Sequence, residues 1–253
     1  MARFFVAPDA ISGKFAVLTG EAAAHVKVLR LKNGDGVTLC TGDGTELDGV
    51  ISDLSPDAVS VVIRRADRCA AEPRVFVSVY MALPKSDKFE HVVQKATELG
   101  AGEIAAFPSA RCVSRPDEKS LGKKLERWQK IAAAAAEQSG RGIIPKVLAI
   151  PSYDAALKRA AESDLAILLY ENEQKLSLRQ AVAGTPHRTA ALMTGPEGGF
   201  EDAEIAQAQS AGLKICTLGP RILRCETAPL CALTALMFAD GELEETQGDC
   251  EHG

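Results

Sequence analysis

Along the first seventy residues the apolar positions come in short runs: Phe4 to Val6, Phe15 to Leu18, Val37 to Cys40 and Val59 to Ile63. Turns such as Asn33-Gly34-Asp35-Gly36 and Thr41-Gly42-Asp43-Gly44 separate them. Runs this short, broken by glycine and aspartate, predict a small antiparallel β-barrel, with one helix over Glu21 to Leu29. The polar stretch RRADRCAAEPR, residues 64–74, ends the pattern. A domain boundary is predicted there, giving a first domain of residues 1–72.

Beyond Pro73 the rhythm changes to strands alternating with helices, the pattern of a mainly parallel α/β sheet flanked by helices. Strands are predicted at Val75 to Ala82, Ile104 to Phe107, Lys146 to Ala149, Leu165 to Tyr170, Thr189 to Thr194 and Lys214 to Leu218. Ser86 is the expected N-cap of a helix with Phe89, Val92, Val93, Ala96 and Leu99 on one side, stopped by Gly100. Lys119 to Ser139 reads as a long helix whose apolar stripe holds Leu121, Leu125, Trp128, Ala132 and Ala135. Trp128 on that stripe is expected in the core. Further helices are expected at Tyr153 to Ala161, Glu201 to Ala211 and Glu226 to Phe238. This second domain is expected to span 73–241, followed by an acidic, disordered tail, 242–253.

The composition, 46% hydrophobic and 25% charged over 253 residues, is that of an ordinary globular protein. No apolar run approaches the ~18 residues that span a bilayer, and MARFFVAPDA holds too short a run for a signal peptide. A soluble, cytoplasmic protein with no membrane contact is expected. The seven cysteines are odd in number and never spaced as CxxC, and the four histidines form no HxxxH, so neither disulfides nor a metal is expected. The net charge of -5 is unevenly spread. Six acids and no base lie from Asp240 to the end, whereas nine basic residues face four acidic ones between Arg111 and Lys146. Such a basic stretch could face phosphate or be a solvated helix face.

Candidate chemistry gathers where predicted strands end. In open α/β sheets ligands bind outside the C-terminal ends of strands. Three such ends are Leu169-Tyr170-Glu171, Thr194 to Phe200 and Leu218 to Leu223. Gly195, Gly198 and Gly199 let backbone approach a ligand, and Pro196 and Pro220 stiffen their turns. There is no GxGxxG after the first strand of this region and no GxxxxGK[ST] anywhere, so the familiar nucleotide loops are excluded.

The pair TGPEGGF and LGPRILRCETA resembles the signature of the SPOUT, or α/β-knot, RNA methyltransferases, and more closely the RsmE family. RFFV at Arg3, HVKVLRLKNGD at His25, KSDKFEHVVQKATELGAGEI at Lys85 and AEQSGRGIIP at Ala136 resemble that family in the same order. The resemblance runs from Arg3 to about Ala239. It implies a C-terminal knotted (trefoil) sheet and a PUA-like N-terminal domain. The implied reaction is methylation of uridine N3 in the decoding region of bacterial 16S rRNA, on the small ribosomal subunit, with S-adenosylmethionine (SAM) as cofactor. A homodimer with a shared active site is implied as well. The expected cofactor residues are Leu169, Tyr170, Glu171, Thr194, Gly195, Pro196, Glu197, Gly198, Gly199, Leu218, Gly219, Ile222 and Leu223.

Methyl transfer to nitrogen needs alignment and a deprotonated acceptor. Arg224 is the candidate cation for that anion, or a helix-start arginine paired with a carboxylate; Arg221 is a weaker candidate. Glu226 is expected to orient Arg224, or simply to complement the helix dipole. Arg3, Lys27, Arg30 and Lys32 in the first domain, and Lys85, Gln94, Lys95, Arg111 and Arg141 in the second, are candidate RNA contacts. His25 is expected to pack rather than act as a base. Three other readings stay open: methylation of another RNA or atom such as a ribose 2'-OH, an RNA-binding assembly factor without catalysis, and a non-RNA ligand-binding protein.

Overall fold

A computed structural model describes residues 1–244. Most of the expected acidic tail, with Cys250 and His252, lies outside the described residues. The chain divides into two compact units, Met1–Glu72 with Ala133–Ile144, and Pro73–Ala132 with Pro145 onward.

In the first unit, strands β1 (Ala2–Phe5), β2 (Ile11–Ser12), β3 (Phe15–Thr19), β4 (Gly36–Cys40), β5 (Thr45–Leu54) and β6 (Ala58–Arg68) form one sheet in the order β1-β4-β5-β6-β3-β2. Every neighbouring pair is antiparallel except β1 with β4. Helix α1 (Gly20–Val28) packs on β3 and β6. The core is Phe4, Leu18, Val26, Leu39, Ile51, Val59 and Val61. Strand β5 has no counterpart among the expected elements, because TELDGVISDL contains no apolar run. Its pairing with β6 is instead made irregular by register shifts at Asp48/Gly49 and Ile51/Asp53. A Cβ at Gly49 would lie 2.5 Å from Val61 Cγ1 and 3.0 Å from Val62 O, so only glycine lets the two strands close there.

The expectation that 73–241 forms one domain meets a difference: 133–144 groups with the first unit. A buried ion pair is among the contacts that tie this segment to the first unit. Arg141, 3% exposed, donates from Nε and Nη2 to Glu72 at 3.2 and 2.7 Å. Glu72 Oε1 also accepts the Gly142 and Ile143 N–H groups at 2.9 and 3.0 Å. Arg141 is therefore corrected as an RNA contact, since its charge is spent on Glu72. In the same unit His25 packs edge-on against Phe4, with ring centroids 5.6 Å apart.

The second unit is a six-stranded sheet of β7 (Phe76–Ala82), β8 (Glu103–Phe107), β9 (Lys146–Ala149), β10 (Leu165–Leu169), β11 (Thr189–Thr194) and β12 (Lys214–Cys216). All pairs are parallel, in the order β12-β10-β11-β7-β8-β9. The helices are α2 (Lys88–Glu98), α3 (Glu118–Ser139), α4 (Tyr153–Ala160), α5 (Leu178–Ala183), α6 (Asp202–Ser210) and α7 (Thr227–Ala239). Strands β8 and β10 are buried along their whole length and read as unbroken apolar runs apart from Glu103. That carboxylate is paired with Arg159 at 2.6 Å.

Ser86 is not the N-cap that its position predicts. It sits at φ 57°, and the cap is Asp87, without a side-chain bond. Gly100 ends α2 at φ 93°, as expected. Trp128 is 2% exposed and packs on Phe89, with ring centroids 4.5 Å apart, which places it in the core. Helix α5 was not predicted; its signal is the capping box of Ser177 and Gln180. No helix among the described residues is long and apolar enough to cross a membrane.

Replacing Glu72 with alanine strands a buried guanidinium and should cost about 3–5 kcal/mol. A urea midpoint equal to that of the native chain would show that the pair is dispensable. Gly49→Val overpacks the β5–β6 pair and should cost at least about 1–3 kcal/mol, read as a lower thermal midpoint.

Candidate active site

Because β10 lies between β11 and β12, the C-terminal ends of these three parallel strands are side by side. The turns that follow them enclose a cavity of about 330 Å³. Its walls are Leu169 to Glu171, Thr194 to Glu197 with Gly199, Thr217 to Gly219, and Arg221 to Cys225, with Lys88 and Ala228. Twelve of the thirteen expected cofactor residues line the cavity, together with Lys88, Thr217, Arg221, Arg224, Cys225 and Ala228. Gly198 is the one expected cofactor residue that does not line it.

The glycine turn is close-packed. The Thr194 hydroxyl donates to Tyr80 O at 3.3 Å, fixing the end of β11. A Cβ at Gly195 would lie 3.3 Å from the Gly199 backbone. Gly199 adopts φ 67°, its N–H donates to Pro196 O at 3.0 Å, and a Cβ there would meet a Glu171 carboxylate oxygen. The opposite wall is tied to the sheet by Tyr170 N–H donating to Cys216 O at 3.0 Å. In the third turn the Gly219 N–H donates to Thr217 Oγ1 at 3.1 Å, and Gly219 has φ 100°.

Two neighbouring loops brace this turn from behind. From the loop after β7, Lys85 N–H donates to Glu197 Oε1 at 3.1 Å. From the loop after β8, Arg111 Nη1 donates to Gly198 O at 3.0 Å and Ala110 N–H donates to the buried Glu204 at 2.9 Å.

Lys88, at the first position of α2, joins two walls. Its Nζ is 3.0 Å from Glu197 Oε1 and 3.3 Å from Glu226 Oε2. The hydrogen bond to Glu197, more than any other contact, holds the ammonium pKa above its ordinary value. Burial pushes the Glu226 carboxyl upward, but bonds from its backbone, Cys225 and Lys88 outweigh it and leave the group below the usual range. Glu197 is lowered by a similar balance. Burial raises the Cys225 thiol to about 11, so it is neutral at pH 7. Lys88 was missed because its partners lie more than a hundred positions away; the motif KSDKFEH held the only signal.

Glu226 is therefore corrected as the orienter of Arg224: it turns to Lys88. Arg224 lines the cavity, is exposed, and makes no ion pair among the described residues. Its carbonyl accepts the Thr227 and Ala228 N–H groups at 2.9 Å, so the start of α7 fixes its backbone.

The expected RNA contacts scatter. Lys27, Arg30 and Lys32 are exposed on the first unit, and Lys85 and Gln94 on the second. Lys95 pairs with Glu98 at 2.8 Å. Arg3 is corrected, because its guanidinium is only part-exposed and is held by Glu46 at 2.5 Å and Cys40 Sγ at 2.9 Å. Arg111 keeps some exposure but is engaged by the glycine turn. Among the described residues no group of three His, Cys, Asp or Glu could hold a metal ion.

Residues 71–237 match the model of an RNA methyltransferase domain, and residues 18–64 that of an RNA methyltransferase PUA domain. The chain is 38% identical over 238 residues to ribosomal RNA small subunit methyltransferase E of Bacillus subtilis, covering 92% of both chains. The Mesomycoplasma hyopneumoniae protein of the same name is 33% identical over 234 residues, covering 92% of this chain and 98% of its own. The crystal structure of the Neisseria gonorrhoeae protein of that name, bound to S-adenosyl methionine, superposes with a TM-score of 0.84 at 31% identity, over 94% of this chain and 97% of that one. A chain with these two domains, and a cavity at the glycine turns of the methyltransferase domain, belongs to the ribosomal RNA small subunit methyltransferase E (RsmE) family.

Proposed function

We propose that this protein is a SAM-dependent methyltransferase of bacterial 16S rRNA, acting on N3 of a uridine in the decoding region of the small ribosomal subunit. The observation that carries this reading is the cavity built from the three strand-end turns. The residues fit SAM. A volume of about 330 Å³ lies in the range of small-molecule sites, and positive-φ glycines expose backbone groups to a ligand. The Glu171 carboxylate complements a ligand carrying positive charge. When bound, SAM supplies a methyl group on a sulfonium, open to in-line attack.

The chain's own residues then have separate tasks. Leu218, Gly219, Ile222 and Leu223 would hold SAM from one wall through their backbone groups. Leu169, Tyr170 and Glu171, with Thr194 to Gly199, form the other walls. Arg224 offers an unpaired guanidinium to the uracil oxygens and favours the imide anion at N3. Lys88 and Glu226 are positioning residues that keep the glycine turn and the start of α7 in register. The two units act as a PUA-like RNA-binding domain and a SPOUT catalytic domain.

The same reading includes the trefoil knot, a homodimer, and work in the cytoplasm on ribosomal subunits. Strand order β12-β10-β11 and the packing of α7 on both α2 and α5 support the knot. The exposed side of α7, with Cys231, Ala235 and the 68% exposed Phe238, supports a subunit contact.

Purified protein incubated with labelled SAM and small subunits lacking the modification should yield N3-methyluridine in a nucleoside digest. Arg224→Ala should lower kcat about a hundredfold or more while binding SAM normally; a fully active variant would remove Arg224 from the reaction, and a different methylated nucleoside would redirect the substrate. Lys88→Gln should weaken SAM binding about tenfold by calorimetry, with Lys88→Arg recovering part of the loss. Unchanged SAM affinity in Lys88→Gln would reduce the bridge to a surface contact.

A further inference from the structure

Helix α3 turns a row of basic side chains to solvent. Lys119, Lys123, Arg127 and Lys130 are all exposed. At 3.6 residues per turn they fall within an arc of about 80° and extend over about 16 Å. The opposite side of the helix is anchored by Trp128 and Ala132, 2% and 0% exposed, so this row cannot rotate inward. Arg127 is engaged by Glu90 at 2.6 Å. Lys119, Lys123 and Lys130 make no ion pair among the described residues. Between Arg111 and Lys130 there are seven basic and three acidic residues, a local charge of +4 in a chain of net -5.

We propose that this face of α3 is an RNA-docking surface on which Lys119, Lys123 and Lys130 contact rRNA phosphates. It deepens, and rests on, the reading of the protein as an rRNA methyltransferase. Three features favour RNA. Lys119 and Lys123 are like charges at i and i+4, which disfavours the helix on its own, and a polyanion relieves that repulsion; Arg127 already has Glu90, and Lys130 has Glu126 one turn before it. The row carries no exposed aromatic or aliphatic anchor of the kind protein interfaces bury. Gly122, beside the row, has no atom within 4 Å of the position a Cβ would take. Packing therefore does not call for glycine there, and its absence of side chain leaves the flank of the lysine row open to a close-lying backbone. Lysine, a compact point charge on a flexible stem, suits phosphate contacts that fix register without reading sequence.

The test uses the full chain with Lys123→Glu and Lys130→Glu combined, and a control reversing two exposed charges elsewhere, Lys158→Glu with Arg179→Glu. Binding to a 16S rRNA transcript is measured by filter retention from about 50 to 200 mM KCl, and SAM binding by calorimetry. The α3 variant should bind the transcript at least tenfold more weakly at low salt. Its slope of log affinity against log salt should be shallower by about 1.4, two contacts at ~0.7 each on single strands. SAM affinity and the control should match the native chain. Affinity and slope equal to the control's would overturn the proposal. So would native binding to the transcript with loss confined to assembled subunits, which would assign the face to a ribosomal protein. If the native chain yields no methylated 16S nucleoside while the α3 variant still loses transcript binding, the substrate reading fails and the RNA surface stands.

Discussion

Strand β10 lies between β11 and β12 in a wholly parallel sheet, and the site depends on that placement. Parallel strands all release their chains at the same edge, so the turns after Leu169, Thr194 and Cys216 emerge side by side although they lie up to 47 positions apart in the sequence. The strands can be parallel and central only because both faces are covered by helices, and their side chains are correspondingly apolar. The cavity is thus a consequence of strand order, and the glycines refine what the order creates.

The turns would not keep their shape by themselves. Glycine at positive φ supplies close approach but also conformational freedom, which costs entropy to restrain. The restraint comes from loops on neighbouring strands. Lys85 and Lys88 hold Glu197, Arg111 holds the Gly198 carbonyl, and Glu204 holds the loop at Ala110. Several residues that read as surface cations therefore serve the pocket, while Arg224 is left available at its rim. A cation committed to a carboxylate and one left open differ in what they can offer an incoming anion, and that difference separates Lys88 from Arg224.

Net charge misleads for a related reason. The chain sums to -5, yet the segment from Arg111 to Lys130 is strongly basic, and electrostatic attraction is set by local fields over about a Debye length. Not every cation in a basic stretch is available: Arg141 is buried with Glu72, and Arg3 is held by Glu46. The lysines of α3 stay at the surface because the helix buries its other side.

The sequence by itself determined the alternation of strands and helices after Pro73, the rigid glycine-proline turns, and the family to which their motifs point. These are local properties, set by side-chain periodicity and by backbone freedom at glycine and proline. It did not disclose β5, whose regularity depends on pairing with β6 around Gly49, nor α5, whose six residues are too few for a periodic signal. It also could not assign partners to charges. Glu226 to Lys88, Arg141 to Glu72 and Arg111 to Gly198 join positions far apart in the chain. Such pairs exist only once the sheet has brought their loops together, because charged side chains carry no sequence mark of the partner that will neutralise them.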